Sequence, residues 1–200
     1  FALAEGGTTA VRDGKIRYVA VATTEKVGRG LRLVAHGTSG HASVPRPDNA
    51  IVHLSAAVGK AGQYQVPMRL NDTMRTFFKR LAAISPPDEA FLYTHLEDPI
   101  VGPMVQETLR QKYLQYNSML RTSISPTIFK AGFRSNVIPG DAEATLDVRA
   151  VPDEDMDALV ADLKRLIDDP AVDIVRNAAG RPSPPASAIE STSYRTPLTS

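Results

Sequence analysis

Ala142-Glu143-Ala144-Thr145-Leu146-Asp147-Val148-Arg149-Ala150 alternates without a break. Ala142, Ala144, Leu146, Val148 and Ala150 share one face; Glu143, Thr145, Asp147 and Arg149 share the other. That period of two is the pattern of a half-buried strand, apolar toward a core and polar toward solvent. Downstream, Pro152-Asp153 opens a helix whose stripe is Met156, Leu159, Val160, Leu163, Leu166 and Ile167. Pro170 ends that helix, and Val172 to Val175 is a short last strand. Upstream, Asn136-Val137-Ile138-Pro139-Gly140-Asp141 is a turn, and Ser125 to Phe133 reads as another strand.

Further toward the N-terminus, Leu31 to His36 is a strand with Leu31, Leu33 and Ala35 on one face. A loop with Gly37, Gly40, Pro45 and Pro47 follows, and Asp48 or Asn49 caps a helix with Ile51, Leu54, Ala57, Val58 and Ala61 at helical spacing, stopped by Gly62. The order from residue 29 to 177 is strand, helix, insert, strand, strand, helix, strand. It predicts an α+β fold: a ferredoxin-like βαββαβ domain in which two helices cover one face of a four-stranded antiparallel sheet. The expected domain spans 28–179. Its insert, about 63–122, holds a helix through Met74, Phe77, Phe78, Leu81 and Ile84 that ends at Pro86-Pro87, and a second over Val101 to Tyr113. Tyr113, Tyr116 and Met119 read as core packing. Glu25 to Gly30 is a charged, glycine-bearing joint. Residues 1–27 read as the end of another domain, with a polar stretch Thr8 to Lys15 around the Asp13-Gly14 turn and a strand from Ile16 to Thr23. Residues 180–200 read as a linker or a return to that domain.

Composition narrows the function. The chain has 200 residues, 42% apolar and 22% charged, with a formal net charge of +1. No basic stripe marks a nucleic-acid binder. The open sheet face carries Glu143, Thr145, Asp147 and Arg149 rather than the paired aromatics of a sheet that stacks bases. With no cysteine there is no disulfide, thiolate metal site or cysteine nucleophile. No apolar run reaches the length of a membrane span. Phe1 reads as the middle of a strand, so the compartment is left open.

Four residues stand out for chemistry. Glu5 ends an apolar strand before Gly6-Gly7, a place where α/β proteins often put a metal ligand. His41 lies in a loop, in Gly40-His41-Ala42-Ser43, where an imidazole can donate to a developing oxyanion. Asn136 is a turn residue. Arg149 is either half of a surface ion pair with Asp147 or a planar fork for a carboxylate.

Taken together and in this order, Glu5-Gly6-Gly7, Gly40-His41-Ala42-Ser43, Asn136-Val137-Ile138-Pro139-Gly140 and Asp147-Val148-Arg149 resemble the dizinc amidohydrolases that include carboxypeptidase S, aminoacylase and succinyl-diaminopimelate desuccinylase. The long insert and the Glu25-Lys26 joint look most like the carboxypeptidase S branch. The resemblance implies that the βαββαβ domain is a lid that dimerises, flanked by pieces of an α/β zinc-peptidase catalytic domain. It implies hydrolysis of the amide bond of a peptide or N-acyl amino acid with a free carboxylate. It casts Glu5 as a terminal zinc ligand, His41 as the oxyanion donor for the neighbouring subunit, and Asn136 and Arg149 as substrate-binding residues. The cofactor implied is a pair of zinc ions, or other divalent metals, in the full-length enzyme, and the partner is a second copy of the chain. The family's upstream His-x-Asp pair, bridging aspartate, adjacent glutamate pair and downstream histidine have no counterpart here, so this chain alone is expected to bind no zinc and to be inactive. The alternative reading is a free-standing ferredoxin-like module for dimerisation or small-ligand binding, without catalysis.

Overall fold

The computed structural model describes residues 7–178, 182 and 186–189. In chain order the elements are β1 (Gly7–Arg12), β2 (Lys15–Val21), β3 (Val27–Gly28), β4 (Leu31–His36), β5 (Gly40–His41), α1 (Ala50–Gln63), α2 (Asp72–Ala83), α3 (Pro87–Thr94), α4 (Gly102–Lys112), α5 (Leu114–Met119), β6 (Ser123–Ala131), β7 (Val137–Ile138), β8 (Asp141–Ala150), α6 (Met156–Ile167) and β9 (Val172–Arg176). They form two compact units. One gathers residues 7–25, 67–121 and 186–189; the other gathers 26–66, 122–178 and 182.

The second unit is an antiparallel sheet in the order β6, β8, β4, β9. β3 lies along β8 in the same register as β4: Gly28 faces Arg149 and Leu31 faces Leu146, with the Arg29 N–H donating to the Val148 carbonyl at 2.8 Å between them. Residues 27–30 of the expected joint are therefore held in the sheet. Ala142, Ala144, Leu146, Val148 and Ala150 are all buried, as their alternation requires. Ala142, Ala144, Leu146 and Val148 pack with Leu31, Leu33 and Ala35 of β4 against Leu54, Ala57 and Ala61 of α1 and Leu159, Leu163 and Ile167 of α6. Each fully buried leucine in that layer contributes about 1.5–3 kcal/mol of transfer free energy. The fold is thus α+β, with both helices on one sheet face.

Local chemistry sets the helix ends. The Asn49 side chain accepts from the Ile51 N–H and caps α1. Gly62 does not stop that helix. It sits in the last turn, where a Cβ would come 3.2 Å from Pro126, so the position is small because a strand passes close by. The Asp155 carboxylate caps α6 by accepting from the Asp157 and Ala158 N–H groups, and Asp168 closes it in the left-handed conformation, φ 47°. The helix begins at Met156, four residues past Pro152. His53 of α1 hydrogen-bonds Asp169 at 2.6 Å, and this bond, with the Ala171 N–H, holds the Asp169 carboxyl below its ordinary value.

The first unit begins with a hairpin. The polar stretch from Thr8 is a strand, because Asp13 (φ 54°) and Gly14 (φ 73°) make the two-residue turn that suits strand twist. Four helices follow. Pro87 begins α3 as well as following α2, since a proline costs nothing in a first helical turn. Phe78, Leu81, Tyr93, Leu96, Val105, Leu109 and Leu120 form the core, with Tyr113 and Tyr116 packed against it. Among the described residues no helix is long and apolar enough to cross a membrane.

Candidate active site

The loop after β4 is fixed by backbone bonds. The Gly37 N–H donates to the Gly140 carbonyl at 2.8 Å, which ties the loop to the turn before β8. Asp48 accepts from the Thr38 N–H at 3.1 Å; hydrogen bonding to Thr38, assisted by Arg46, holds its carboxyl below the ordinary value. β5 and β7 then pair, Gly40 with Ile138 and His41 with Val137, and the Ala42 N–H donates to the Asn136 carbonyl at 3.0 Å. This bridge brings His41 and Asn136 side by side, and both are exposed.

Ser43 decides which nitrogen of His41 carries the proton. Its backbone N–H points at Nδ1 at 3.2 Å and its hydroxyl lies 2.8 Å from the same atom. A backbone N–H can only donate, so Nδ1 is the acceptor. The neutral ring then carries its proton on Nε2, and Nε2–H is a donor available to a ligand. Sequence reasoning noticed Ser43 only as part of a string; its role follows from the imidazole–serine distance.

Gly37 is a further requirement of this loop. A Cβ there would lie 2.1 Å from the Asp48 carbonyl oxygen and 2.8 Å from the Ala50 nitrogen, both backbone atoms. Gly37→Ala is expected to destabilise the chain by about 1–3 kcal/mol, the usual cost of overpacking. Urea denaturation of the two proteins measures it; an unchanged midpoint would contradict the packing described.

Arg149 stands elsewhere. It lies near the end of β8 on the polar face, eight residues from Asp141, at a strand rise that makes the separation roughly 26 Å. His41 and Asn136 lie beyond the Asp141 end. One chain therefore brings His41 and Asn136 together and keeps Arg149 apart from them. Arg149 is flanked in the sheet by two small residues, Gly28 and Ser123. Its Nε donates to Asp147 at 2.9 Å, and its Nη groups make no ion pair among the described residues. The side chain is 58% exposed. The Asp147 bond orients the fork and leaves the Nη1/Nη2 edge for a second carboxylate. Lys26, whose Nζ donates to the Ser123 hydroxyl at 3.2 Å, adds positive charge near that gap; as one residue of a charged joint it carried no separate signal in the sequence.

Glu5 lies outside the described residues. Among those described, no three of His, Cys, Asp and Glu come together as a metal site. They do not fit the dizinc centre that the resemblance implies.

Residues 23–175 match the family described as the peptidase dimerisation domain of the M20 peptidases. The chain belongs to the M20 family. It is similar to "Probable carboxypeptidase S-like 2" of Dictyostelium discoideum, at 30% identity over 87% of this chain and 33% of the relative. It is also similar to the human N-fatty-acyl-amino acid synthase/hydrolase PM20D1, at 31% identity over 74% of this chain and 29% of the relative. Among solved structures, it resembles the M20 family metallo-carboxypeptidase Sso-CP2 of Sulfolobus solfataricus, with 19% identity and a TM-score of 0.49 over 86% of this chain and 48% of that one. The chain spans about a third of the length of the curated relatives it matches.

Proposed function

We propose that this chain is the ferredoxin-like lid, with flanking segments, of a longer M20 amidohydrolase that cleaves the amide bond of N-acyl amino acids or peptides bearing a free carboxylate. The observation that carries the reading is the division of the polar groups between the two ends of β8. An oxyanion donor and a carboxylate clamp must reach the same substrate, yet Arg149 lies roughly 26 Å along β8 from Asp141, the end of the strand at which His41 and Asn136 sit. A homodimer resolves this if each substrate is held by Arg149 of one subunit and met by His41 and Asn136 of the other. The match to a dimerisation domain supports that arrangement. The names of the curated relatives support a hydrolase, and the PM20D1 relatives favour N-acyl amino acids.

In this scheme the Nη edge of Arg149 takes the two carboxylate oxygens of the substrate, with Asp147 keeping the fork in plane. The Asn136 side chain hydrogen-bonds the substrate near the scissile amide. His41 donates from Nε2 to the carbonyl oxygen as it becomes an oxyanion, a contact that strengthens only as charge develops. Zinc and the general base would come from parts of the enzyme other than the described residues.

The test is turnover by the full-length enzyme. An N-acyl amino acid is expected to be hydrolysed, and its carboxamide analogue to lose roughly 10- to 100-fold in kcat/KM, the worth of a charge-assisted hydrogen bond. Equal rates on acid and carboxamide, or no hydrolysis of either, would reject the reading.

A further inference from the structure

The unit built from residues 7–25, 67–121 and 186–189 contains a cavity of about 430 Å³. That lies within the range of small-molecule sites, about 300–1,000 Å³. Its walls come from β2, from Met74, Phe77 and Leu81 of α2, and from Tyr116 and Met119 of α5. The Tyr18 and Tyr116 hydroxyls bond each other at 2.9 Å, so their polar ends are satisfied within the wall. Phe77 stands edge-on to both rings, at 6.2 and 6.1 Å between centroids. What remains facing the space is largely apolar, and the two methionines make it adaptable in shape. Arg80 is the one charged side chain among the lining residues.

We infer that this cavity binds the acyl chain of an N-acyl amino acid. The inference deepens the proposed function and rests on its N-acyl reading. An aliphatic chain matches the apolar walls, while a charged peptide side chain would leave its own charge unsolvated there. Affinity then grows with acyl length, roughly four-fold for each methylene that enters the cavity.

The experiment is calorimetric titration of the 200-residue chain with N-acetyl-, N-octanoyl-, N-decanoyl- and N-lauroylglycine, and with laurate, below their micelle concentrations. The lauroyl compound is repeated with a diazirine on the chain to map its position. The expected result is a steep rise in affinity with length, none measurable for N-acetylglycine, and crosslinks on residues 18–24 and on α2. Affinity independent of length, or crosslinks on the exposed Phe129 and Phe133 instead, would overturn the inference. Laurate binding with the expected crosslinks, together with no turnover of N-acyl amino acids by the full-length enzyme, would retain an alkyl-chain site and reject the hydrolase reading. Turnover without crosslinks in the cavity would do the reverse.

Discussion

His41→Ala in the full-length enzyme is expected to lower kcat by about 10²–10³-fold, the loss seen when one oxyanion donor is removed. KM should change little, because the contact forms as charge develops on the carbonyl oxygen rather than in the bound ground state. The fold should be unaffected: His41 is exposed, and among the described residues its side-chain bonds run to Ser43 alone. Ser43→Ala provides the control for the tautomer. It removes the hydroxyl contact to Nδ1 but keeps the backbone N–H, so its loss of kcat should be smaller than that of His41→Ala. Steady-state kinetics with a thermal melt of each variant measures both, and normal turnover by His41→Ala would remove the histidine from the mechanism.

Arg149→Ala is expected to act on a different parameter. Its loss should appear mainly in KM, with kcat/KM down roughly 10- to 100-fold on a substrate with a free carboxylate. On the carboxamide analogue the variant and the parent enzyme should be nearly equal, since there is no carboxylate left to clamp. Arg149→Lys should recover only part of the loss: an ammonium supplies charge but not two parallel donors. If Arg149→Ala were equally harmful on acid and amide, Arg149 would be a structural partner of Asp147 rather than a clamp.

The sheet was legible in the sequence because its signal is long and repeated. Nine residues of alternation from Ala142 to Ala150 place five side chains in the core, and all five are buried. The stripe of α6 was legible for the same reason at helical period: Leu159, Leu163 and Ile167 are buried and Met156 and Val160 pack against the core, while Leu166, expected in the stripe, is exposed. Shorter elements carried less. β5 and β7 are two-residue bridges, below the length at which any periodicity exists. α5 has six residues and depends on Tyr116 packing into the aromatic cluster, a tertiary effect. α3 was hidden because Pro86-Pro87 reads equally as the end of one helix and the start of another.

The candidate site divides in the same way. His41, Asn136 and Arg149 could be named from their motifs. That Arg149 lies at the far end of β8 follows from the same alternation, eight residues on from Asp141. That His41 and Asn136 are adjacent depends on the β5–β7 bridge, which is not written in local pattern. The direction of the His41 proton depends on a distance to Ser43 that only the folded loop defines.

The most direct test of the proposed site is complementation between two inactive variants. Full-length His41→Ala and Arg149→Ala proteins are mixed under conditions that exchange subunits, and turnover is followed at low substrate. In a heterodimer, one site would receive Arg149 from its own chain and His41 from the other, both intact. The other site would lack both. Activity should therefore rise well above that of either variant, toward half the wild-type value per heterodimer. If exchange is demonstrated and activity stays at the level of the separate variants, His41 and Arg149 do not meet across a dimer, and the shared-site reading is wrong.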